Sequence, residues 1–203
     1  LKYAMDRHDE FAAKHDRVRD YLARMGLDAV LLASRHNFSW ATCGAHNYVC
    51  HASAIGNSYV LIDADRAVVI ANNIEAPRLT DEDLSADLPL EHFFYANSAD
   101  QTALLNRLVA GRNVASDAPI GGLDLPRLDG NFDTLRYVLL PSELDRMRTL
   151  ATDAVAAMEA TCRTIAPGMT ENAIAGEYAR ALRANNMTPW VLLVGADERL
   201  ERY

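Results

Sequence analysis

Cysteine is scarce in this chain and odd in number, with three among 203 residues. An odd set in a chain of this length does not make a disulfide framework, so cross-links are excluded as the organising device. No apolar run approaches the roughly eighteen residues that span a bilayer, and the N-terminus lacks the apolar core of a signal peptide. The default expectation is therefore a cytoplasmic protein without a membrane segment. Positive charge is in deficit: 20 Lys and Arg stand against 28 Asp and Glu, a net charge of -8, with a pI near 5.2. That leaves no basic field for phosphates and argues against nucleic acid as a partner. Internal repeats and low-complexity tracts are also missing. Gly121-Gly122 lacks the strand-to-helix setting of a dinucleotide or phosphate loop.

Half of the residues are apolar and 24% are charged, the composition of a globular protein with a substantial core. The acidic residues are spread along the chain and read as a solvated surface. The most organised stretch is Leu140 to Asn186. Leu144, Met147, Ala151, Ala154, Val155, Met158, Cys162 and Ile165 recur at steps of three and four, one face of a helix. Pro141 suits a first turn, Glu143 and Asp145 suit the positive end of the dipole, and Pro167-Gly168 ends the helix. Thr170 is placed to cap a second helix with the stripe Ile174, Tyr178, Ala181 and Leu182.

Upstream, Asp9 to Met25 predicts a helix capped by Gly26, followed by a buried strand at Asp28 to Ala33. Ser34 to Gly56 is irregular and chemically dense. Ser58 to Ile62 and Ala67 to Ala71 predict an antiparallel pair joined by Asp63 to Arg66. A short helix at Ile74 to Thr80, a strand at Leu90 to Tyr95 and a helix opening at Ser98 follow. Strands are expected again at Asn113 to Asp117, Leu135 to Leu139 and Trp190 to Gly195. The alternation gives a mixed-sheet α/β domain followed by a helical hairpin. A single strand after the hairpin cannot cover two helical faces, so a large exposed apolar patch is expected there.

Two segments resemble a known family. The Pro141-Ser142-Glu143-Leu144 helix start, the Arg146-Met147-Arg148 turn and Ala166-Pro167-Gly168-Met169-Thr170-Glu171 resemble the entry to the catalytic domain of the creatinase, prolidase and aminopeptidase P family. Asp28 to Leu32 and Asn37-Phe38-Ser39-Trp40-Ala41-Thr42-Cys43-Gly44 resemble its N-terminal domain, with Cys43 intruding between Thr42 and Gly44. The resemblance implies a creatinase/prolidase-like N-terminal domain at 1–138. Residues 139–203 would then begin a pita-bread α+β metallopeptidase domain. It implies hydrolysis of bonds next to proline, as an Xaa-Pro aminopeptidase or dipeptidase, with two divalent ions (manganese, cobalt or zinc). The family's ligands, two aspartates, a histidine and two glutamates, lie beyond the strand matched by Trp190 to Gly195. No metal ligand or catalytic residue is therefore expected within these residues. The start at Leu1 instead of methionine fits the same expectation of a fragment, inactive alone.

The resemblance further implies a homodimer in which the N-terminal domain helps shape the pocket for a peptide or small-molecule substrate. Trp40, His46 and Tyr48 are the candidates for that contact, since aromatic walls suit a prolyl residue and a histidine can hold a carboxylate. Other readings stay open. Cys43, His46, Cys50 and His51 are zinc-type ligands in an unusual spacing, which leaves room for a non-catalytic dimerisation or binding module with a local zinc site. Cys43 with His46 could also form a thiol and base pair. A creatinase-like hydrolase of a non-peptide C–N bond is the remaining alternative.

Overall fold

The computed structural model describes residues 5–202. It divides after Ser142 into two compact units. The first holds a five-stranded sheet in the order β4-β3-β2-β1-β5: β1 (Ala29–Ser34), β2 (Ile55–Asp63), β3 (Ala67–Asn72), β4 (Leu90–Tyr95) and β5 (Val114–Ser116). The β1–β2 and β2–β3 pairs are antiparallel, while β3–β4 and β1–β5 are parallel. The expected mixed α/β sheet is present.

Helices cover both faces of this sheet, which explains why its central strands are apolar without alternation. On one face Val30, Leu32, Val60, Ile62 and Val69 pack with Phe11, Val18, Tyr21 and Leu22 of α1 (Arg7–Met25), with Phe38 and Trp40 of α2 (Arg35–Ala41), and with Ala76 of α3 (Glu75–Arg78) and Phe132 of α5 (Gly130–Asp133). On the other, Leu31, Leu61, Val68 and Ile70 meet Leu104, Leu105 and Leu108 of α4 (Ser98–Val109). Truncating a fully buried leucine such as Leu31 to alanine in a core of this kind costs about 2–5 kcal/mol. The ends of α1 follow the sequence: Asp6 accepts from the Asp9 N–H at 2.7 Å, and Gly26 closes the helix at φ 63°, a left-handed conformation that glycine adopts without penalty.

Several expectations need correction. α2 occupies a stretch that reads as irregular, whereas α4 opens at Ser98 as expected, with Asn97 supplying its cap. Thr134–Arg136 forms a 3-10 turn where the strand Leu135 to Leu139 was expected. Arg17 explains that outcome by donating to the Leu135 and Val138 carbonyls at 2.8 and 2.9 Å. Those are the acceptors a ladder would have used. Within α1, His15 is 7% exposed and stacks on Phe11 at 3.8 Å.

The second unit contains most of α6 (Pro141–Cys162), all of α7 (Glu171–Ala184) and the short α8 (Glu198–Arg202). Thr170 caps α7, accepting from Ala173 N–H at 3.2 Å. Its buried core is small: Ala157, Leu182 and Met187, flanked by Ala154, Tyr178, Ala181 and Leu192. Trp190 to Gly195 carries no strand pairing among the described residues, contrary to expectation. A strand is a paired structure, and neither helix offers a ladder. Leu193 is 90% exposed, and Met147, Leu150, Val155 and Met158 are also exposed, so the expected apolar patch is there. No helix among the described residues is long and apolar enough to cross a membrane.

Candidate functional site

The chemically dense segment is built where β1 leaves its ladder. The β1–β2 register breaks between Leu32 and Ser34 and the β1–β5 pairing ends at Leu31, leaving the Ala33 and Ser34 N–H groups to another acceptor. Asp117, immediately after β5, takes both: it accepts from Ala33 N–H at 2.7 Å and from Ser34 N–H at 3.1 Å. It also accepts from the Ser34 hydroxyl and from Asn37 Nδ2 at 2.9 Å. One carboxylate thus satisfies the bulge and fixes the first turn of α2. The Ser34 hydroxyl proton is committed to Asp117, so His36 Nε2, 3.3 Å from Ser34 Oγ, is the donor of that contact. Burial, followed by Arg136, lowers the His36 pKa and favours the neutral ring.

After α2 the chain turns through Cys43 and Gly44, at φ 58° and 120°. Asn47 then docks the loop on β2. Its Nδ2 donates to the Ser58 carbonyl at 2.8 Å and its Oδ1 accepts from the Ser58 N–H at 2.9 Å. The side chain imitates one residue of a neighbouring strand. Gly56 makes this docking feasible, because a Cβ there would lie 2.1 Å from Asn47 Cγ.

The loop so fixed carries a cluster of rings. The Arg35 guanidinium lies 4.5 Å from the Tyr48 ring centroid, within cation–π range, and donates to the carbonyls of His51 and Ser53 at 3.0 and 2.9 Å. Tyr48 meets His51 at 4.4 Å and the His46 ring edge-on at 5.6 Å. His46 Nδ1 is 2.9 Å from Asp83 Oδ1. Arg78 pairs with the same Asp83 and donates to the His46 carbonyl at 3.1 Å. A histidine whose Nδ1–H is held by a carboxylate presents a fixed Nε2 lone pair. Its side chain is 61% exposed, so that nitrogen belongs to a reachable surface.

Of the three expected contact residues, His46 and Tyr48 come together and Trp40 does not join them. Trp40 is 8% exposed in the core. Lys14 Nζ sits 5.5 Å from its ring centroid and donates to its carbonyl at 2.9 Å and to Glu10 at 2.6 Å. The alternative cysteine sites dissolve for a related reason. Cys43 is fully buried with Sγ toward the Arg7 carbonyl at 3.9 Å, whereas Cys50 is exposed. Among the described residues no three His, Cys, Asp or Glu side chains gather to hold a metal ion. The residues present therefore do not fit a dinuclear centre. Arg35, Asn47, Asp83 and Asp117 escaped the sequence reading. Only Asp117 had a usable signal, a carboxylate at the very end of an expected strand.

No family model matches the sequence, and no curated protein matches it significantly. Solved structures do. The Xaa-Pro dipeptidase from Bacillus anthracis is similar with a TM-score of 0.66 at 19% identity, over 86% of this chain and 49% of that one. The prolidase from Pyrococcus horikoshii OT3 gives 0.65 at 17%, over 85% and 48%. The dipeptidase PepE from Mycobacterium ulcerans gives 0.64 at 16%, over 89% and 51%. The chain thus spans about half the length of each. On the mixed five-stranded sheet and these likenesses together, the chain has the fold of the prolidase and creatinase N-terminal domain.

Proposed function

We propose that this chain is the N-terminal part of a hydrolase acting on peptide bonds next to proline, as an Xaa-Pro aminopeptidase or an Xaa-Pro dipeptidase. The observation that carries the reading is the fold shared over more than four-fifths of this chain with proteins named for that chemistry. The dinuclear manganese, cobalt or zinc centre would lie on residues other than the described ones, whose donor set does not form one. His46 and Tyr48 take the substrate-facing role, across a homodimer in a cytoplasmic enzyme. Tyr48 offers a flat ring to a prolyl residue, and His46, oriented by Asp83, offers a fixed polar group beside it. Trp40 acts indirectly by fixing α2 against α1.

The test is the intact mass of the natively produced protein, followed by hydrolysis of Xaa-Pro dipeptides and longer Xaa-Pro peptides with added manganese. A longer polypeptide that cleaves either substrate supports the proposal. Cleavage of a creatine-like C–N bond instead would move the assignment to that chemistry. A 22.4 kDa species active on Xaa-Pro peptides would overturn the placement of the metal centre. In the active enzyme, His46→Ala should raise KM several-fold, about tenfold if a charge-assisted contact is lost, with kcat little changed. Unchanged kinetics would remove His46 from the site.

A further inference from the structure

The two edges of the sheet are finished differently. Along β5, Ser116 is bridged to Arg127: its N–H donates to the Pro126 carbonyl and its carbonyl accepts from the Leu128 N–H, both at 2.9 Å. β4 has no such cover among the described residues. The Asn73 N–H donates to the Tyr95 carbonyl at 2.9 Å, so the backbone of Tyr95, and by alternation that of Phe93 and Glu91, faces β3. His92 and Phe94 therefore turn their N–H and C=O groups outward. Natural sheets blunt such an edge with proline, lysine or a bulge. Here the outward positions hold two exposed rings, Phe94 being 49% exposed, and the β3–β4 register runs unbroken from Leu90 to Tyr95.

Beside that edge an open groove of about 500 Å³ separates Phe94 and Tyr95 of β4 from Asp100, Ala103, Leu104 and Arg107 of α4. Positions 100, 103 and 107 share one helical face and are exposed, while Leu104 is buried beneath them. Asp100 engages only the neutral Asn97 amide, at 2.8 Å, and Arg107 makes no hydrogen bond or ion pair among the described residues. We propose that the β4 edge and this face of α4 form an interface with a second copy of this chain, the two β4 strands pairing antiparallel. A two-fold axis normal to the sheet makes every contact reciprocal and keeps both α4 helices on the same face. The register that sets His92 against Phe94 of the second copy, with Phe93 on the axis, satisfies the outward groups of both residues. A shift of two residues would oppose Phe94 to Leu90, whose N–H already donates to the Leu88 carbonyl at 2.8 Å, or His92 to Ala96, beyond the strand. The same axis runs the helices antiparallel. Asp100 of each copy then meets the free Arg107 of the other, and the small Ala103 between them allows close approach. The interface stands on these surface groups alone and is independent of the peptidase reading.

The experiment is sedimentation equilibrium of the 203-residue chain at concentrations up to about 100 μM, which resolves micromolar association. A species of twice 22.4 kDa is expected. Arg107→Asp sets carboxylate against carboxylate at both ends of the helix pair and should weaken the dimer about tenfold. Adding Asp100→Arg restores opposite charges at these exposed positions and should bring the affinity back to within about threefold. Phe94→Pro removes an outward N–H without touching the β3 ladder and should leave monomer; if that variant does not fold, the charge exchange decides. A monomeric parent would overturn the proposal, leaving the edge to a foreign strand and peptide hydrolysis unaffected. A dimer indifferent to Arg107→Asp, or one that the double exchange fails to restore, would overturn it too, because association through any other surface behaves in that way.

Discussion

The His15 ring is stacked on Phe11 with its Nε2 unpartnered, and its pKa falls from 6.5 to about 4. Burial is the main cause and the nearby Arg19 charge adds to it, against a smaller opposing pull from Asp16. The unfolded chain therefore binds a proton in a pH range where the folded chain does not. The stability contributed by the neutral ring is complete above pH 6.5 and is lost as the pH falls toward 4, by up to about 3 kcal/mol. His15→Leu should flatten the pH dependence of urea unfolding across that window, and an unaltered slope would show that other groups govern it. Gly56 makes a different kind of residue-level claim. Gly56→Ala puts a methyl group into the Asn47 amide, and the loop must either unhook from Ser58 or push β2 aside. A loss of about 1–3 kcal/mol is expected. It should be accompanied by faster proteolysis at residues 45–54, and a variant as stable and as protease-resistant as the parent would contradict the docking.

At the scale of elements, the legible parts were those whose causes are local. α1 announces its own end with Gly26, and the apolar runs of β1 and β3 announce a sheet covered on both faces. α2 was not legible, because Arg35 to Ala41 gains its first turn from Asp117, eighty positions away in the case of Asn37. The ring cluster was half legible for the same reason: Tyr48 and His46 stood out as residue types, but the Asp83 carboxylate that orients His46 is 37 residues downstream. Trp190 to Gly195 failed in the opposite direction. Its β-propensity is strong, but strand structure requires a pairing partner, which propensity does not supply. Unequal cores give the elements unequal persistence. The amides of β1, β2 and β3 lie between two packed faces, whereas α6 and α7 each contribute one buried apolar residue, Ala157 and Leu182, to a core completed by Met187. Native-state hydrogen exchange should show the α6 and α7 amides exchanging at much lower opening free energy than those of the sheet. Comparable protection would mean that the helices are held by something beyond that small core.

At the scale of the whole molecule, a chain of net charge -8 exposes apolar side chains on both compact units, Ile74 and Tyr137 among those of the first and Val191 and Leu193 among those of the second. The Asp117 carboxylate also sets an order of events in time. On the ribosome, Ala33 and Ser34 emerge 84 and 83 residues before the group that satisfies their N–H donors. The neighbouring β2–β3 hairpin needs only a short turn between its strands. Closing the long loop is entropically costly and belongs late in folding, after the local pairings have formed. A contact made after the rate-limiting barrier changes unfolding rather than folding. Asp117→Ala should accordingly accelerate unfolding in stopped-flow denaturant jumps while leaving the refolding rate nearly unaltered. A refolding rate that falls in proportion to the lost stability would mean that β1 and β5 meet early, and that the chain begins to fold only when its first hundred or so residues are free of the exit tunnel.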